Sequence, residues 1–216
     1  MKRILAILGI LILAFIGIIY FVYFRGGKRR PKGPEPVPLA VSKHSEAFNQ
    51  SIQTLLDDYY AMSEGFVNWD TLVINKEAGE LKAELEKLPI DELKVDTTGI
   101  YESIIDPMAN AKSATAAIAS DPSIDNKRVA FNALSENLRL IFIVVKYDRN
   151  KLYWQECPMA FGEDHPGNWL SKTDAVRNPY LGLKHPTYKN SMVECGGPKD
   201  TINFMPVDTS GKAGLP

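Results

Sequence analysis

Two cysteines stand in the 216-residue chain, and each has a methionine close by: Cys157-Pro158-Met159 and Met192-Val193-Glu194-Cys195. His165 and His185 fall between them. Thiolate and thioether sulfurs select Cu(I) and similar soft ions over Mg or Ca. Cys157, Met159, Met192 and Cys195, with His165 or His185 as a further donor, are therefore a candidate metal set. Neither cysteine belongs to a Cys-x-x-Cys pair, which argues against a zinc finger, a haem attachment site or a thioredoxin motif. The competing chemistry is a Cys157–Cys195 disulfide. In an exported domain two cysteines commonly pair, and the bridge would stabilise a loop-rich segment by roughly 3–4 kcal/mol in the chain-entropy model. The two states exclude each other, because only a reduced pair can hold a metal.

Catalytic patterns are sparse. The chain has no Gly-x-Ser-x-Gly, no His-Glu-x-x-His and no glycine-rich phosphate loop. A Cys157/His165 nucleophile pair is conceivable, but Pro158 and the matching second cysteine favour a bridge. Asp57-Asp58 and Glu84/Glu86 are expected as helix-surface acids, and His44 as a capping or surface residue at a helix entrance. The expectation is a chain that is not an enzyme.

Four helical patterns precede the cysteines. Phe48, Ile52, Leu55, Tyr59 and Met62 mark one near 45–64; Ile74, Ala78, Leu81, Leu85 and Leu88 mark one near 70–88, stopped by Pro89. A third covers 98–120, with Pro107 predicting a kink or a late start. A fourth covers 124–147 on Phe131, Leu134, Leu138, Ile141 and Val145, with Ser123 as N-cap. Each stripe must bury one face. Four such helices on short loops predict an antiparallel four-helix bundle over 44–148. Residues 149–208 lose that period and gain turns, predicting a small loop-rich lobe with short strands near 152–155 and 201–204. Its aromatic residues argue for order. Trp154, Trp169, Asn178, Pro179 and Tyr180 are a candidate interaction surface. The tail 209–216 has nothing to pack.

The charge divides with the chain. Residues 1–32 carry seven basic side chains and no acid, whereas the other 18 basic residues face all 26 acids, a net of −8. An acidic body argues against nucleic acid as a partner. Ile4 to Phe24 is an uncharged run of 21 residues, about 31 Å long as a helix and enough to span a bilayer core. No small-residue cleavage site follows it, so residues 1–25 are expected to be an uncleaved transmembrane anchor. Residues 26–43, rich in Pro, Gly and Lys/Arg, are expected to be an extended linker. Five basic residues just after the span would by themselves keep the body on the cytoplasmic side.

The series Tyr153-Trp-Gln-Glu-Cys157-Pro-Met159-Ala, Asn168-Trp169-Leu-Ser171, Val176-Arg-Asn178-Pro179-Tyr180-Leu-Gly182 and Met192-Val-Glu-Cys195-Gly196 resembles an uncharacterised bacterial exported domain. Asp58-Tyr59-Tyr60 and the run from Phe131 to Leu138 extend the resemblance into the helices, over about 45–205. That domain occurs alone or at the C-terminus of periplasmic adaptor proteins of heavy-metal efflux pumps, the copper/silver type among them. The resemblance implies an inner-membrane, single-pass protein with its C-terminal domain in the periplasm, against the charge count. It also implies a heavy-metal efflux component as partner and Cu(I) or another soft ion as cargo. Residues 183–191, which carry His185, look like an insertion relative to the family pattern.

Overall fold

The computed structural model describes residues 44–205. The expected anchor, the whole linker, the last three residues of the expected lobe and the tail lie outside them. Among the described residues no helix is long and apolar enough to cross a membrane. The described residues are mainly helical, with four helices and one small sheet: α1 (Glu46–Asn68), α2 (Thr71–Lys87), a 3-10 turn (Ile90–Val95), α3 (Ile100–Ser120), α4 (Ile124–Val144), then β1 (Leu152–Cys157), β2 (Gly167–Ser171) and β3 (Gly197–Ile202).

Helix starts are set by side chains that accept the otherwise unmet first-turn N–H groups. Ser45 caps α1 through Phe48 N at 3.1 Å. Asp70 caps α2 through Leu72 N and Val73 N at 3.1 and 3.2 Å, and Ser123 caps α4 through Asn126 N at 3.4 Å. Helix α3 neither starts late nor breaks at Pro107. The proline removes the N–H that would meet the Ser103 carbonyl, and Ser103 is exposed, so water can take its place. His44 is not a surface residue. Its side chain is buried: Nε2 lies 2.6 Å from the carbonyl of Val145 at the end of α4, Nδ1 lies 3.4 Å from Glu92, and the ring stacks on Phe48 at 4.5 Å.

Successive helices pack on one another along the predicted apolar stripes. Helices α1 and α4 meet through large rings: Tyr59 and Phe66 lie 5.2 and 4.8 Å from Phe131. Lys127 is buried on α4, and its ammonium donates to Asn75 of α2 at 2.6 Å and to the Ile118 carbonyl near the end of α3. One cation thus ties three helices at the cost of desolvation, and that burial lowers its pKa.

The sheet is antiparallel with order β2-β1-β3. Strand β2 packs on α4. The junction is polar as well as apolar. The Tyr59 hydroxyl bonds Ser135 at 2.7 Å and accepts from Leu170 N of β2 at 3.0 Å, while Ser135 donates to the Phe131 carbonyl at 2.7 Å. Asn132 of α4 accepts from Asn168 N at 2.7 Å. Tyr59 and Ser135 thus join helix, helix and strand through buried hydrogen bonds, and Asn132 adds a separate bond from α4 to β2.

Candidate functional site

The fold brings the two cysteines together. Cys157 ends β1 and is wholly buried, Cys195 sits half-buried just before β3, and their sulfurs are 3.7 Å apart as free thiols. Two thiolates on one tetrahedral ion, with metal–sulfur bonds of about 2.3 Å, lie about 3.8 Å apart. A disulfide requires about 2.05 Å. The pair is thus spaced as a chelate and is within a small side-chain rotation of a bridge.

Three residues place Cys195. The chain turns over Met192–Cys195, with Cys195 N donating to the Met192 carbonyl at 3.0 Å. Gly196 then adopts φ +113°, and a Cβ there would lie 2.2 Å from the Glu156 carbonyl, so only glycine lets this turn lie against β1. Asn178, fully buried, clamps the outside of the turn. Its Nδ2 donates to the Cys195 carbonyl at 2.8 Å and its N–H to the Val193 carbonyl at 2.8 Å. Its Oδ1 accepts from Tyr180 N and Leu181 N at 2.8 and 3.0 Å. The Asn-Pro-Tyr motif is thereby the support of the cysteine site.

Burial pushes the Cys157 thiol up to about 11, although the Met159 N–H and the Asn178 side chain pull the other way. A thiol in that state is protonated at neutral pH and is a poor nucleophile. Among the described residues, no His, Asp or Glu joins the two cysteines in a cluster of ligand atoms within 4.8 Å. His165 is exposed, its Nδ1 2.7 Å from the Glu163 carbonyl. His185 stacks on Tyr188 at 4.8 Å. Met192 shares the Cys195 turn. Met159 lines a neighbouring cavity that neither cysteine lines.

The expected interaction surface needs correction. Trp154, Trp169, Asn178, Pro179 and Tyr180 are all buried. Tyr180 lies 6.1 Å from Phe131, 6.0 Å from Trp169 and 5.2 Å from Phe161, and its hydroxyl donates to the Asn168 carbonyl. These rings form the core of the lobe, so they offer no free face. The acids also behave differently from their sequence appearance. Asp58 of α1 meets Glu77 and Glu80 of α2, and burial together with those two acids raises its pKa to about 6. Lys76, 2.8 Å from both glutamates, offsets the charge. Sequence spacing could not show this group, because its members come from two helices.

Residues 55–149 match the model of a family described as a protein of unknown function, DUF3347. The matched stretch runs from α1 through α4 and stops before β1. It supports an uncharacterised helical-bundle domain, and the cysteine lobe lies beyond it. No curated protein and no solved structure matches the chain.

Proposed function

We propose that this chain is a non-catalytic, membrane-tethered periplasmic module that handles a soft metal ion, Cu(I) being the best suited, through Cys157 and Cys195. The observation that carries the proposal is the 3.7 Å sulfur separation, which suits two thiolates on one ion. The chemistry of the donor set agrees. The cysteines have sulfur-bearing Met192 on the same turn and no carboxylate or imidazole clustered with them, an environment that favours soft ions over hard ones. Half-exposed Cys195 provides access. The membrane tether rests on the uncharged run 4–24, and the periplasmic side and the link to metal efflux rest on the motif resemblance. Burial of Cys157 without a basic neighbour disfavours a thiol enzyme.

Anaerobic titration of the reduced protein with Cu(I), against a Cys157→Ser/Cys195→Ser double variant, tests the proposal. Tight uptake of one equivalent that the double variant loses is expected. Equal uptake by both proteins would sink it.

A second reading is favoured by the complete burial of Cys157 between the sheet and the Met192–Cys195 turn. Here the pair closes as a disulfide and the chain is a structural or interaction module. Intact mass with and without reductant separates the two. A gain of about two daltons on reduction, with no free thiol beforehand, marks the bridge.

A further inference from the structure

The two cysteines are unequal. Cys157 is wholly buried at the end of β1, where its backbone pairs with Gly167 of β2. Cys195 is only partly buried where it packs against the core. Both backbones are fixed. Asn178 holds the Val193 and Cys195 carbonyls at 2.8 Å each, and Cys195 N donates to the Met192 carbonyl at 3.0 Å. The sulfurs lie 3.7 Å apart, so side-chain rotation is the movement that closes them.

Thiol–disulfide exchange needs a sulfur that an outside disulfide can reach. Cys195 meets that requirement and Cys157 does not. A second thiol beside the one that reacts then turns a mixed disulfide into a bridge. A partly open sulfur also separates this pair from a sealed structural staple, because exposed disulfides are the labile ones.

We propose that Cys195 is the sulfur that exchanges with low-molecular-weight disulfides and that Cys157 is the thiol that resolves the product, so that the pair closes and opens reversibly. Cys195, as thiolate, attacks one sulfur of the small disulfide. That S–S bond breaks, a mixed disulfide forms on Cys195, and one small thiolate leaves. Cys157 then gives up its proton and attacks Cys195 Sγ. The mixed disulfide breaks, the Cys157–Cys195 bond forms, and the second small thiolate leaves. The protein pair thereby loses two electrons and two protons, and the small disulfide takes them up as two thiols. The second attack is intramolecular, which offsets the weak nucleophilicity of a buried thiol. In reverse, an excess of small thiol attacks Cys195, the reachable sulfur, and Cys157 leaves. Closing removes both soft ligands. That consequence for metal rests on the function proposed above, whereas the exchange chemistry does not.

The test uses the full chain in detergent micelles, reduced with a phosphine, desalted without oxygen and exposed to hydroxyethyl disulfide, a small uncharged probe. By intact mass the wild type should end as the bridge, two hydrogens lighter. The Cys157→Ser protein should keep one mercaptoethanol adduct. The Cys195→Ser protein should react at least about tenfold more slowly, since its thiol is reached only when the lobe opens. Brief alkylation of the reduced wild type with iodoacetamide, mapped to peptides, guards against a variant that folds poorly, and should label Cys195 first. Equal rates for the two single variants, first labelling of Cys157, or a reduced wild type that never closes would each overturn the assignment. Cu(I) uptake by the same samples is read separately, and should be lost on oxidation and return with excess dithiothreitol. A reduced protein that takes up no Cu(I) yet reacts at Cys195 first would refute the soft-ion function and leave the exchange assignment standing. Cu(I) uptake with Cys157 reacting first would do the opposite.

Discussion

The helical bundle and the C-terminal lobe are both ordered, but by different means. The bundle is held by repetition. Phe48, Ile52, Leu55, Tyr59 and Met62 on α1, Ile74, Ala78, Leu81 and Leu85 on α2, Ile104, Met108, Ala111 and Ile118 on α3 and Phe131, Leu134, Leu138 and Ile141 on α4 are all buried, and many side chains share the work. The lobe is held by single residues. Asn178 makes five hydrogen bonds, two of them to the Met192–Cys195 turn, Gln155 donates toward the carbonyls of Thr173, Asp174 and Ala175, and Gly196 alone permits the approach of that turn to β1. A periodic core tolerates the loss of one member better than a polar hub does, because an unpaired buried polar group keeps its full desolvation penalty. That is also the arrangement a two-thiol site needs. Cys157 is held by packing at the end of β1, and Cys195 by the Asn178 clamp on its backbone.

The comparison can be broken first at the residue common to both regions. Phe131 faces Tyr59 and Phe66 in the bundle and Tyr180 in the lobe. Phe131→Ala should cost about 3–5 kcal/mol in urea unfolding and lower hydrogen-exchange protection in both regions together. Asn178→Ala comes next, at about 2–4 kcal/mol, because it strands the Tyr180 and Leu181 N–H groups and the Cys195 carbonyl. Its loss of protection should be confined to β1–β3 and the Met192–Cys195 turn, with α2 and α3 unchanged. If α2 and α3 lose protection equally, the two regions are one cooperative unit and the contrast drawn here fails.

Tyr59→Phe is a smaller cut at the junction. It leaves Leu170 N without its acceptor and should cost about 1–2 kcal/mol in the same unfolding assay.

The smallest effect lies wholly in the bundle and should be a gain. Asp58 has a folded pKa of about 6 against an ordinary 3.8, so between those values the folded state binds the extra proton. Its contribution is most favourable below about pH 4 and is lost as pH rises through 6. Asp58→Asn should raise Tm by about 1–3 °C at pH 7 and leave it unchanged at pH 4. The group is only partly buried, so solvent screening keeps the gain small. A Tm gain of the same size at both pH values would remove the electrostatic explanation.

The same contrast explains what could be read from the sequence. Ser123 is visible as a cap and the apolar stripes as helices, since each signal recurs or has a fixed offset. The 3-10 turn at Ile90–Val95 is too short to carry a period. Strand β2 was not expected because Gly167–Ser171 buries its first, third and fourth residues rather than alternating. The burial of Trp154, Trp169 and Tyr180 was likewise illegible, because a lobe without period gives no sign of which face turns inward. Cysteine pairing across the lobe was legible from the matched Cys/Met neighbours. The clamp on it was not, because Asn178 acts through backbone groups from Tyr180 to Cys195 that only the folded chain brings together.

The central claim is that Cys157 and Cys195 form the heart of a soft-metal site. Copper K-edge X-ray absorption on the reduced, Cu(I)-loaded protein tests it most directly, since it counts the atoms bound to the ion. The account predicts a first shell of sulfur at about 2.3 Å that disappears in the Cys157→Ser/Cys195→Ser protein. A shell of nitrogen or oxygen, or the same spectrum from the double variant, would contradict it.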